Sequence, residues 1–247
     1  MKRVELLVEG KRISILKASD FPIFYIHGSG CDATLWIKQL EELGGFAIDL
    51  PNHGESDELE VESVEDYARI VAEVVDRTSG SGLIAGHSLG GAIAQMVYLK
   101  HRKVVKALIL ISTGARLRVL PKILEGLENN PSETARFISE MAFASREYVE
   151  DFSKLFADRA KILLEDLKIC DRFDLLEDFK AGKIRFDVPT IAIVGEKDML
   201  TPVKYSQFFS NFGARVAVIE NAGHMVMLEK PKELNEIIRN FLSELRL

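Results

Sequence analysis

A serine, an aspartate and a histidine stand in three short glycine-containing segments that lie far apart in the sequence. These segments are residues 86–90 (GHSLG), 195–198 (GEKD) and 221–224 (NAGH). A serine hydroxyl is a weak nucleophile at neutral pH, and it becomes reactive when an imidazole takes its proton and a carboxylate orients that imidazole. The residue types therefore predict nucleophilic catalysis, with Ser88 as nucleophile, Asp198 as acid and His224 as base.

The serine segment lies where a predicted strand turns into a predicted helix. Residues 83–85 (LIA) are typical of a strand and residues 89–101 of a helix, so Ser88 stands at the turn between them. Glycines two residues to either side of the serine suit a sharp turn, because a side chain at either position would collide with nearby backbone. Such a turn raises the hydroxyl above the sheet and places it at a helix N-terminus, where a developing negative charge is stabilised.

The acid and the base follow the last two predicted strands, at residues 190–194 and 216–219. The carboxyl ends of parallel strands meet at the edge where open α/β sheets bind ligands, so we expect both side chains near Ser88. Three other aspartates compete for the role of acid: Asp174, Asp178 and Asp187. Asp198 alone follows a predicted core strand, and the chain order nucleophile, acid, base is the one expected for this topology.

A further glycine-containing segment, residues 26–30 (IHGSG), follows an apolar run at residues 23–26 that is typical of a buried strand. Acyl transfer requires two backbone N–H donors directed at the oxyanion of the tetrahedral intermediate. We predict the amide of Leu89, directly after the nucleophile, as one donor. The loop around Ser29 is expected to supply the other, which makes these two residues the candidate oxyanion hole.

The remaining histidines and the cysteines are assigned structural roles. His27 and His53 are expected to hold loops by hydrogen bonds, and His87 to support the nucleophile from beside it. His101 is interpreted as a cation at a helix C-terminus. The two cysteines, Cys31 and Cys170, form no metal signature and no disulfide framework, so a reducing, cytoplasmic location is predicted. For Cys31, sensitivity to thiol reagents is the only expected consequence.

The elements that position these residues alternate between strands and helices. Strand patterns at residues 4–8 and 12–16 flank a Glu-Gly turn, and from residue 23 onward strands and helices follow each other in turn. This order predicts an α/β protein with a mostly parallel sheet and helices on both faces. Residues 115–186 show helical patterns and no convincing strand. We therefore predict a core of residues 1–114 and 187–247, with a helical cap at 115–186 inserted between two core strands.

Composition limits the classes of protein to consider. The 247 residues carry 32 Lys and Arg against 38 Asp and Glu, a net charge of −6, and 47% of them are hydrophobic. This is an ordinary globular profile, which excludes a disordered or collagenous chain. A mildly acidic surface argues against nucleic acid and membrane surfaces as partners. The longest apolar runs are strand-sized, far short of a membrane span.

Five motifs in order and spacing resemble the serine hydrolases of the α/β-hydrolase superfamily, over essentially the whole chain. They are residues 27–30 (HGSG), 49–56 (DLPNHGES), 86–91 (GHSLGG), 195–198 (GEKD) and 223–224 (GH). The resemblance is strongest to small carboxylesterases and to their lactonase and cofactor-free haloperoxidase-like relatives. It implies the α/β-hydrolase fold, a triad of Ser88, Asp198 and His224, an oxyanion hole of Ser29 and Leu89, and no metal or cofactor. The implied reaction is hydrolysis of a small-molecule carboxylic ester through an acyl-enzyme.

Two departures and three alternatives bear on this interpretation. The nucleophile is serine rather than aspartate, which argues against dehalogenase or epoxide-hydrolase chemistry, and the single His-Gly argues against esterases with a longer glycine run. The same triad also supports hydrolysis of carbon–carbon bonds or enol-lactones, or haloperoxidase-like chemistry. An arginine of the cap would then hold a substrate carboxylate; the candidates are Arg116, Arg118 and Arg136. A ligand receptor that retains the triad is a third alternative.

The lining of a substrate pocket is left open by the sequence. Seven of the fourteen phenylalanines fall in the predicted cap: Phe137, Phe143, Phe152, Phe156, Phe173, Phe179 and Phe186. They either line an acyl pocket or pack against the cap's own helices and the core, and helical spacing favours packing. Three methionines that follow the acid and the base are candidates for a deformable apolar wall: Met199, Met225 and Met227.

Overall fold

The computed structural model describes residues 1–245, and these form one eight-stranded sheet with helices on both faces. The strands are β1 (Lys2–Val8), β2 (Lys11–Lys17), β3 (Ile23–Ile26), β4 (Phe46–Ile48), β5 (Gly82–His87), β6 (Val105–Ile111), β7 (Thr190–Gly195) and β8 (Arg215–Ile219). Their order in the sheet is β1-β2-β4-β3-β5-β6-β7-β8. The pairs β1–β2 and β2–β4 are antiparallel and the other five are parallel, so the predicted mostly parallel α/β sheet is confirmed.

Helices connect the strands and cover both faces of the sheet. They are α1 (Ile37–Leu43), α2 (Val64–Ser79), α3 (Leu89–Lys100), α4 (Pro121–Asn129), α5 (Pro131–Ala142), α6 (Val149–Asp158), α7 (Ala160–Arg172), α8 (Leu176–Lys180), α9 (Val203–Phe208), α10 (Val226–Glu229) and α11 (Pro231–Glu244). A 3₁₀ turn, Ala33–Trp36, directly precedes α1. No helix among these residues is long and apolar enough to cross a membrane.

Strand β3 illustrates why the central strands are apolar throughout. Successive side chains of a strand point to opposite faces. Phe24 and Ile26 pack into the apolar layer beneath α2 and α3, whereas Ile23 and Tyr25 pack into the layer on the other face, with α1 and α11. Burial on both faces therefore removes the polar alternation that a half-exposed strand would show, and it fixes the strand ends on which the candidate site is built.

The segment between β6 and β7 contains α4 to α8 and, among residues 115–186, no strand longer than one isolated bridge. Its helices share the apolar layers of the core: Phe179 packs on the α2–α3 side, and Leu163 packs on the opposite side. We retain the division into a core and a cap at these boundaries as a proposal. The shared packing means that such a cap would be anchored to the core at several points.

Candidate active site

Ser88 lies at the turn between β5 and α3 in a backbone conformation that is rare for a residue with a side chain. Its φ is 53° and its ψ is −114°. A Cβ added to Gly86 would lie 2.0 Å from the Gly90 carbonyl oxygen, and a Cβ on Gly90 would lie 2.3 Å from the Ile26 carbonyl oxygen. Both positions therefore require glycine, as the sequence predicted. Thr113 also supports the turn, because its hydroxyl donates a 2.8 Å hydrogen bond to the Ser88 carbonyl.

His224 and Asp198 are joined by hydrogen bonds within the described structure. The Nδ1 atom of His224 lies 2.9 Å from Oδ2 of Asp198 and 3.1 Å from its Oδ1. Asp198 also accepts hydrogen bonds from the amides of Leu200 and Thr201, at 2.9 and 2.8 Å, and from the Thr201 hydroxyl at 2.8 Å. Burial by itself would raise the pKa of Asp198, but His224 and the Thr201 donors outweigh it and hold that pKa below its ordinary value. Asp198 is therefore kept as a carboxylate.

The loops that carry these two residues interlock at the carboxyl ends of β7 and β8. A Cβ on Gly195 would lie 2.1 Å from the Gly223 carbonyl oxygen, so these backbones touch. The Lys197 amide donates to the Ala222 carbonyl at 2.8 Å. From the other side, the His224 amide donates to the carbonyl of Ala142 at the end of α5, also at 2.8 Å. The loop after β7 and the end of α5 therefore together fix the backbone of the predicted base.

Ser88 and His224 line the same cavity, which has a volume of about 270 Å³. Its walls are mainly aliphatic and come from residues 115–186 and from the loop after β7; they include Leu117, Val119, Ile123, Ile138, Leu167 and Leu200. Within the described lining, Arg118 is the one side chain with a permanent charge. Asp198 lies behind His224, away from the cavity. The cavity can therefore take an apolar group at the serine.

The loop of residues 27–32, here called the oxyanion loop, lies directly against the serine. A Cβ on Gly28 would lie 3.2 Å from the Ser88 Cβ and 2.8 Å from Nδ1 of His87. The Leu89 amide belongs to the first turn of α3, where amides have no acceptor within the helix. This arrangement brings both predicted oxyanion-hole residues, Ser29 and Leu89, to neighbouring segments beside Ser88, and their role as donors stays a prediction.

Three other histidines form hydrogen bonds with backbone groups, as the sequence predicted for His27 and His53. His27 accepts a 3.1 Å hydrogen bond from the Leu50 amide through Nε2, and burial together with nearby His53 lowers its pKa to about 4. His53 lies 2.8 Å from the Pro51 carbonyl through Nδ1. His87 donates from Nε2 to the carbonyl oxygen of His224, at 3.1 Å, and burial and that histidine keep its pKa well below the ordinary value.

Asp166 of α7 is a buried polar residue beside the site that sequence reasoning missed. Its carboxylate accepts hydrogen bonds from the Gly30 amide, from Nε2 of His53 and from the hydroxyl of Tyr67, each at 2.9 Å. In the sequence it stands next to Glu165, and two adjacent carboxylates are typical of a solvated helix face. The available signal was its spacing: Asp166 lies three residues after Leu163, on the stripe of α7 that is buried.

The surroundings of several side chains bear on the roles expected for them. Burial raises the pKa of Cys31 to about 12, which disfavours the reactive thiolate and therefore does not support the expected thiol sensitivity. His101 is not favoured as a cation, because partial burial and nearby Arg69 and Lys103 lower its pKa. The seven phenylalanines of the predicted cap pack in aromatic clusters and on the core, as their helical spacing favoured, and none of them is in the described lining of the cavity.

One of the three candidate arginines and one of the three candidate methionines line the cavity. Arg136 pairs with Glu140 at 3.2 Å and is outside the lining, as is Arg116, whereas Arg118 is part of it. Met199 lines the cavity mouth, whereas the other two methionines are buried in the apolar layer. Within residues 1–245, no cluster of three or more His, Cys, Asp or Glu side chains is arranged to hold a metal ion.

The sequence pattern of the alpha/beta hydrolase family matches residues 23–237, and the chain belongs to this family. A solved structure described as a thermophilic esterase is 50% identical, covers 99% of this chain and 98% of its own, and superposes with a TM-score of 0.97. A pimeloyl-[acyl-carrier protein] methyl ester esterase of Neisseria meningitidis is 26% identical over 246 residues, covering 89% of this chain and 93% of that protein. The chain is an esterase-like alpha/beta hydrolase.

A third relative is a larger protein. The dihydrolipoyllysine-residue acetyltransferase component of the acetoin cleaving system of Pseudomonas putida is 25% identical over 237 residues, which are 90% of this chain. The chain spans only 63% of the length of that relative.

Proposed function

We propose that the protein hydrolyses small-molecule carboxylic esters through an acyl-enzyme intermediate formed on Ser88. The observation that supports this proposal is that a histidine paired with a buried carboxylate, His224 with Asp198, opens into the same cavity as a serine in a strained turn. Strain and paired titratable groups concentrate at functional sites. The esterase named among the relatives, at 50% identity, supports the same reaction class.

The hydrogen bond between Nδ1 of His224 and Asp198 selects the form of the imidazole that the reaction needs. With the Nδ1 proton directed at the carboxylate, Nε2 is left free to take the proton of the Ser88 hydroxyl. The serine oxygen attacks the ester carbonyl, and the resulting oxyanion receives hydrogen bonds from the amides of Ser29 and Leu89. His224 then donates its proton to the departing alcohol, and Asp198 stabilises the imidazolium that exists in between.

The second half of the reaction repeats these roles with water. A water molecule gives a proton to His224 and attacks the acyl carbonyl, and collapse of the second tetrahedral intermediate releases the carboxylic acid and returns the proton to Ser88. The steps use only side chains and amides of this chain together with ester and water. The aliphatic cavity walls favour an acyl group without charge, and a volume of about 270 Å³ suits a short to medium acyl chain.

The test is the Ser88→Ala variant, assayed on a chromogenic short-acyl ester and labelled with a fluorophosphonate. We expect a fall in turnover of about 10⁵- to 10⁶-fold, because the triad acts as a unit, together with loss of labelling. Ser210→Ala is the matched control, since Ser210 is exposed and lies outside the cavity. Unchanged turnover in Ser88→Ala would remove Ser88 from the mechanism. A ligand-induced thermal shift without turnover in the wild type would favour the receptor alternative.

A second candidate is hydrolysis of a carboxylate-bearing substrate, such as an enol-lactone or a compound with a scissile carbon–carbon bond. The observation in its favour is Arg118, which lines the cavity although it also contacts Asp174 at 3.2 Å. Comparing kcat/KM for a neutral ester and for the same ester with a terminal carboxylate tests it. Arg118→Gln should selectively lower the second value if Arg118 holds the carboxylate, and Arg116→Gln is the control.

The location of the protein stays a prediction. Both cysteines are free thiols within the structure, as the reducing cytoplasm would require. The predicted absence of nucleic acid and membrane partners rests on the charge balance of the sequence.

A further inference from the structure

Side chains of the predicted cap form hydrogen bonds with both peptide units that adjoin Gly30 in the oxyanion loop. The Gly30 amide donates to Oδ2 of Asp166 at 2.9 Å. On its other side, the Gly30 carbonyl accepts a 3.2 Å hydrogen bond from Arg159, whose guanidinium also pairs with Asp32 at 2.8 Å. Both cap residues are therefore in contact with backbone that adjoins Ser29, the predicted oxyanion donor.

We propose that Asp166 is a positioning residue for the hydrolytic reaction, which holds the Ser29 amide in the orientation that the oxyanion requires. The inference rests on the proposed function, since it assumes that the Ser29 amide serves the oxyanion. Asp166 does not contact the substrate cavity; it acts through Gly30.

The link from Asp166 to Ser29 follows from backbone geometry. The Gly30 nitrogen and the Ser29 carbonyl belong to one planar peptide unit. Fixing the Gly30 N–H therefore fixes the orientation of this unit, and only the two backbone torsions of Ser29 separate it from the preceding unit, which carries the Ser29 N–H. Gly30 itself has a φ of 68°, and a Cβ there would lie 3.1 Å from Leu163, so the loop is closely packed on α7. A shift of the Gly30 amide would consequently be passed on to the Ser29 amide.

The surroundings of Asp166 need an anion rather than any polar side chain. All three partners donate to it: Gly30 and His53 to Oδ2, and Tyr67 to Oδ1. The second ring nitrogen of His53 faces the Pro51 carbonyl at 2.8 Å, and a carbonyl oxygen only accepts. Both nitrogens of His53 therefore face acceptors, which is the environment of an imidazolium. A carboxylate paired with this cation is tolerated in a buried position, where a lone charge is not.

An asparagine at position 166 would satisfy this arrangement only in part. Its single carbonyl oxygen could still accept from Gly30, but its amide group would face another donor. An alanine would remove all three acceptors and leave the Gly30 amide without its partner. The two substitutions thus separate the loss of charge from the loss of positioning, and Glu165→Gln on the exposed adjacent position is the matched control.

The experiment measures kcat and KM on a chromogenic ester and the inhibition constant of a trifluoromethyl ketone of the same acyl chain. The ketone adds Ser88 to form a tetrahedral oxyanion, so its affinity reports the oxyanion hole. We expect Asp166→Ala to lower kcat by about tenfold or more, with KM changed by less than about threefold, and to weaken the ketone by a similar factor. Asp166→Asn should recover part of both losses, and Glu165→Gln should leave both unchanged.

A purely structural role for Asp166 predicts a different result. A folded Asp166→Ala with a lower midpoint of thermal unfolding but unchanged kcat and unchanged ketone affinity would overturn the proposal. If Asp166→Ala does not fold, unchanged values of both quantities in folded Asp166→Asn would overturn it instead. The proposed function is tested by a different variant. Turnover that is retained in Ser88→Ala would contradict the acyl-enzyme mechanism, independently of the results for Asp166.

Discussion

The hydroxyl of Thr201 donates a 2.8 Å hydrogen bond to Oδ2 of Asp198, the oxygen that also lies 2.9 Å from Nδ1 of His224. The same hydroxyl oxygen is 3.1 Å from that Nδ1 atom. Thr201 therefore stabilises the anionic form of Asp198 and fixes the side of the carboxylate that the imidazole meets. All three side chains are buried, so water does not compete for these contacts.

Thr201→Val is predicted to lower turnover by weakening the support of Asp198. Removing the hydroxyl takes one donor from the Asp198 carboxylate, so the pKa of Asp198 rises and the anion that orients His224 is less stabilised. We expect kcat near neutral pH to fall by about 10- to 150-fold, since a hydrogen bond to a charged group contributes about 1.5–3 kcal/mol. Steady-state kinetics on a chromogenic ester measure the fall. Thr201→Ser retains the hydroxyl, and an equal fall in this control would contradict the explanation.

The pair formed by His53 and Asp166 makes stability depend on pH. Although burial lowers the pKa of His53, the Asp166 carboxylate outweighs it and the pKa is raised above the ordinary 6.5. A group whose pKa is higher in the folded state stabilises fully below its unfolded pKa, and this contribution is lost as the pH rises through the folded pKa. The other charged or titratable groups near His53 are Arg159, which opposes its protonation, His27 and Tyr67.

We therefore expect His53→Gln to have a lower free energy of unfolding than the wild type. The difference should be larger at acidic than at alkaline pH. Urea unfolding at about pH 5.5 and pH 9.5 brackets the transition. The free energies of both proteins vary with pH through other groups, so the difference between them is the quantity to compare. A difference that is equal at the two pH values, or larger at the alkaline one, is incompatible with the imidazolium assignment.

Acyl-chain preference is predicted to depend on Ile138 of α5, which lines the cavity wall. Ile138→Phe places a larger side chain where the acyl group is proposed to bind. We expect kcat/KM for a long-chain ester to fall by about tenfold or more relative to a two-carbon ester, because several methylene contacts would be lost. A chromogenic ester series measures this ratio. Ile37→Phe, at a half-exposed position of α1, is the control, and an equal effect there would argue against the assigned pocket.

The glycine positions made the nucleophile turn predictable from sequence. Only residues without a Cβ fit at Gly86 and Gly90, so the glycine pattern around Ser88 predicts a sharp turn there. The parallel sheet was predictable for a similar reason, since apolar runs alternating with amphipathic helices allow few other arrangements. The prediction of a carboxylic ester hydrolase is confirmed at the level of the enzyme class, whereas the role of each predicted site residue awaits the experiments above.

Long-range contacts were beyond reach of the same reasoning. Asp166 lies 136 positions from Gly30 and 113 from His53, and nothing local distinguishes it from a solvated helix carboxylate except its place on a buried stripe. The sequence favoured packing over pocket lining for the phenylalanines of the predicted cap, but their partners could not be named from it. Phe179, for example, is fully buried and contacts the rings of Phe186 and Phe209. Rings that fill the interior in this way are not available to a ligand.

The two cysteines are predicted to be inert in the folded protein. Burial raises the pKa of both Cys31 and Cys170 to about 12, so the reactive thiolate is scarce at neutral pH. We expect titration with an aromatic disulfide reagent at about pH 8 to detect fewer than about 0.2 thiols per native chain, and two after unfolding in guanidinium. Cys170 also lines the candidate active-site cavity, so its reaction would report how far that cavity is open to solvent. Rapid reaction of one thiol, abolished in Cys170→Ala but not in Cys31→Ala, would mean that the cavity wall opens to solvent more than its packing indicates.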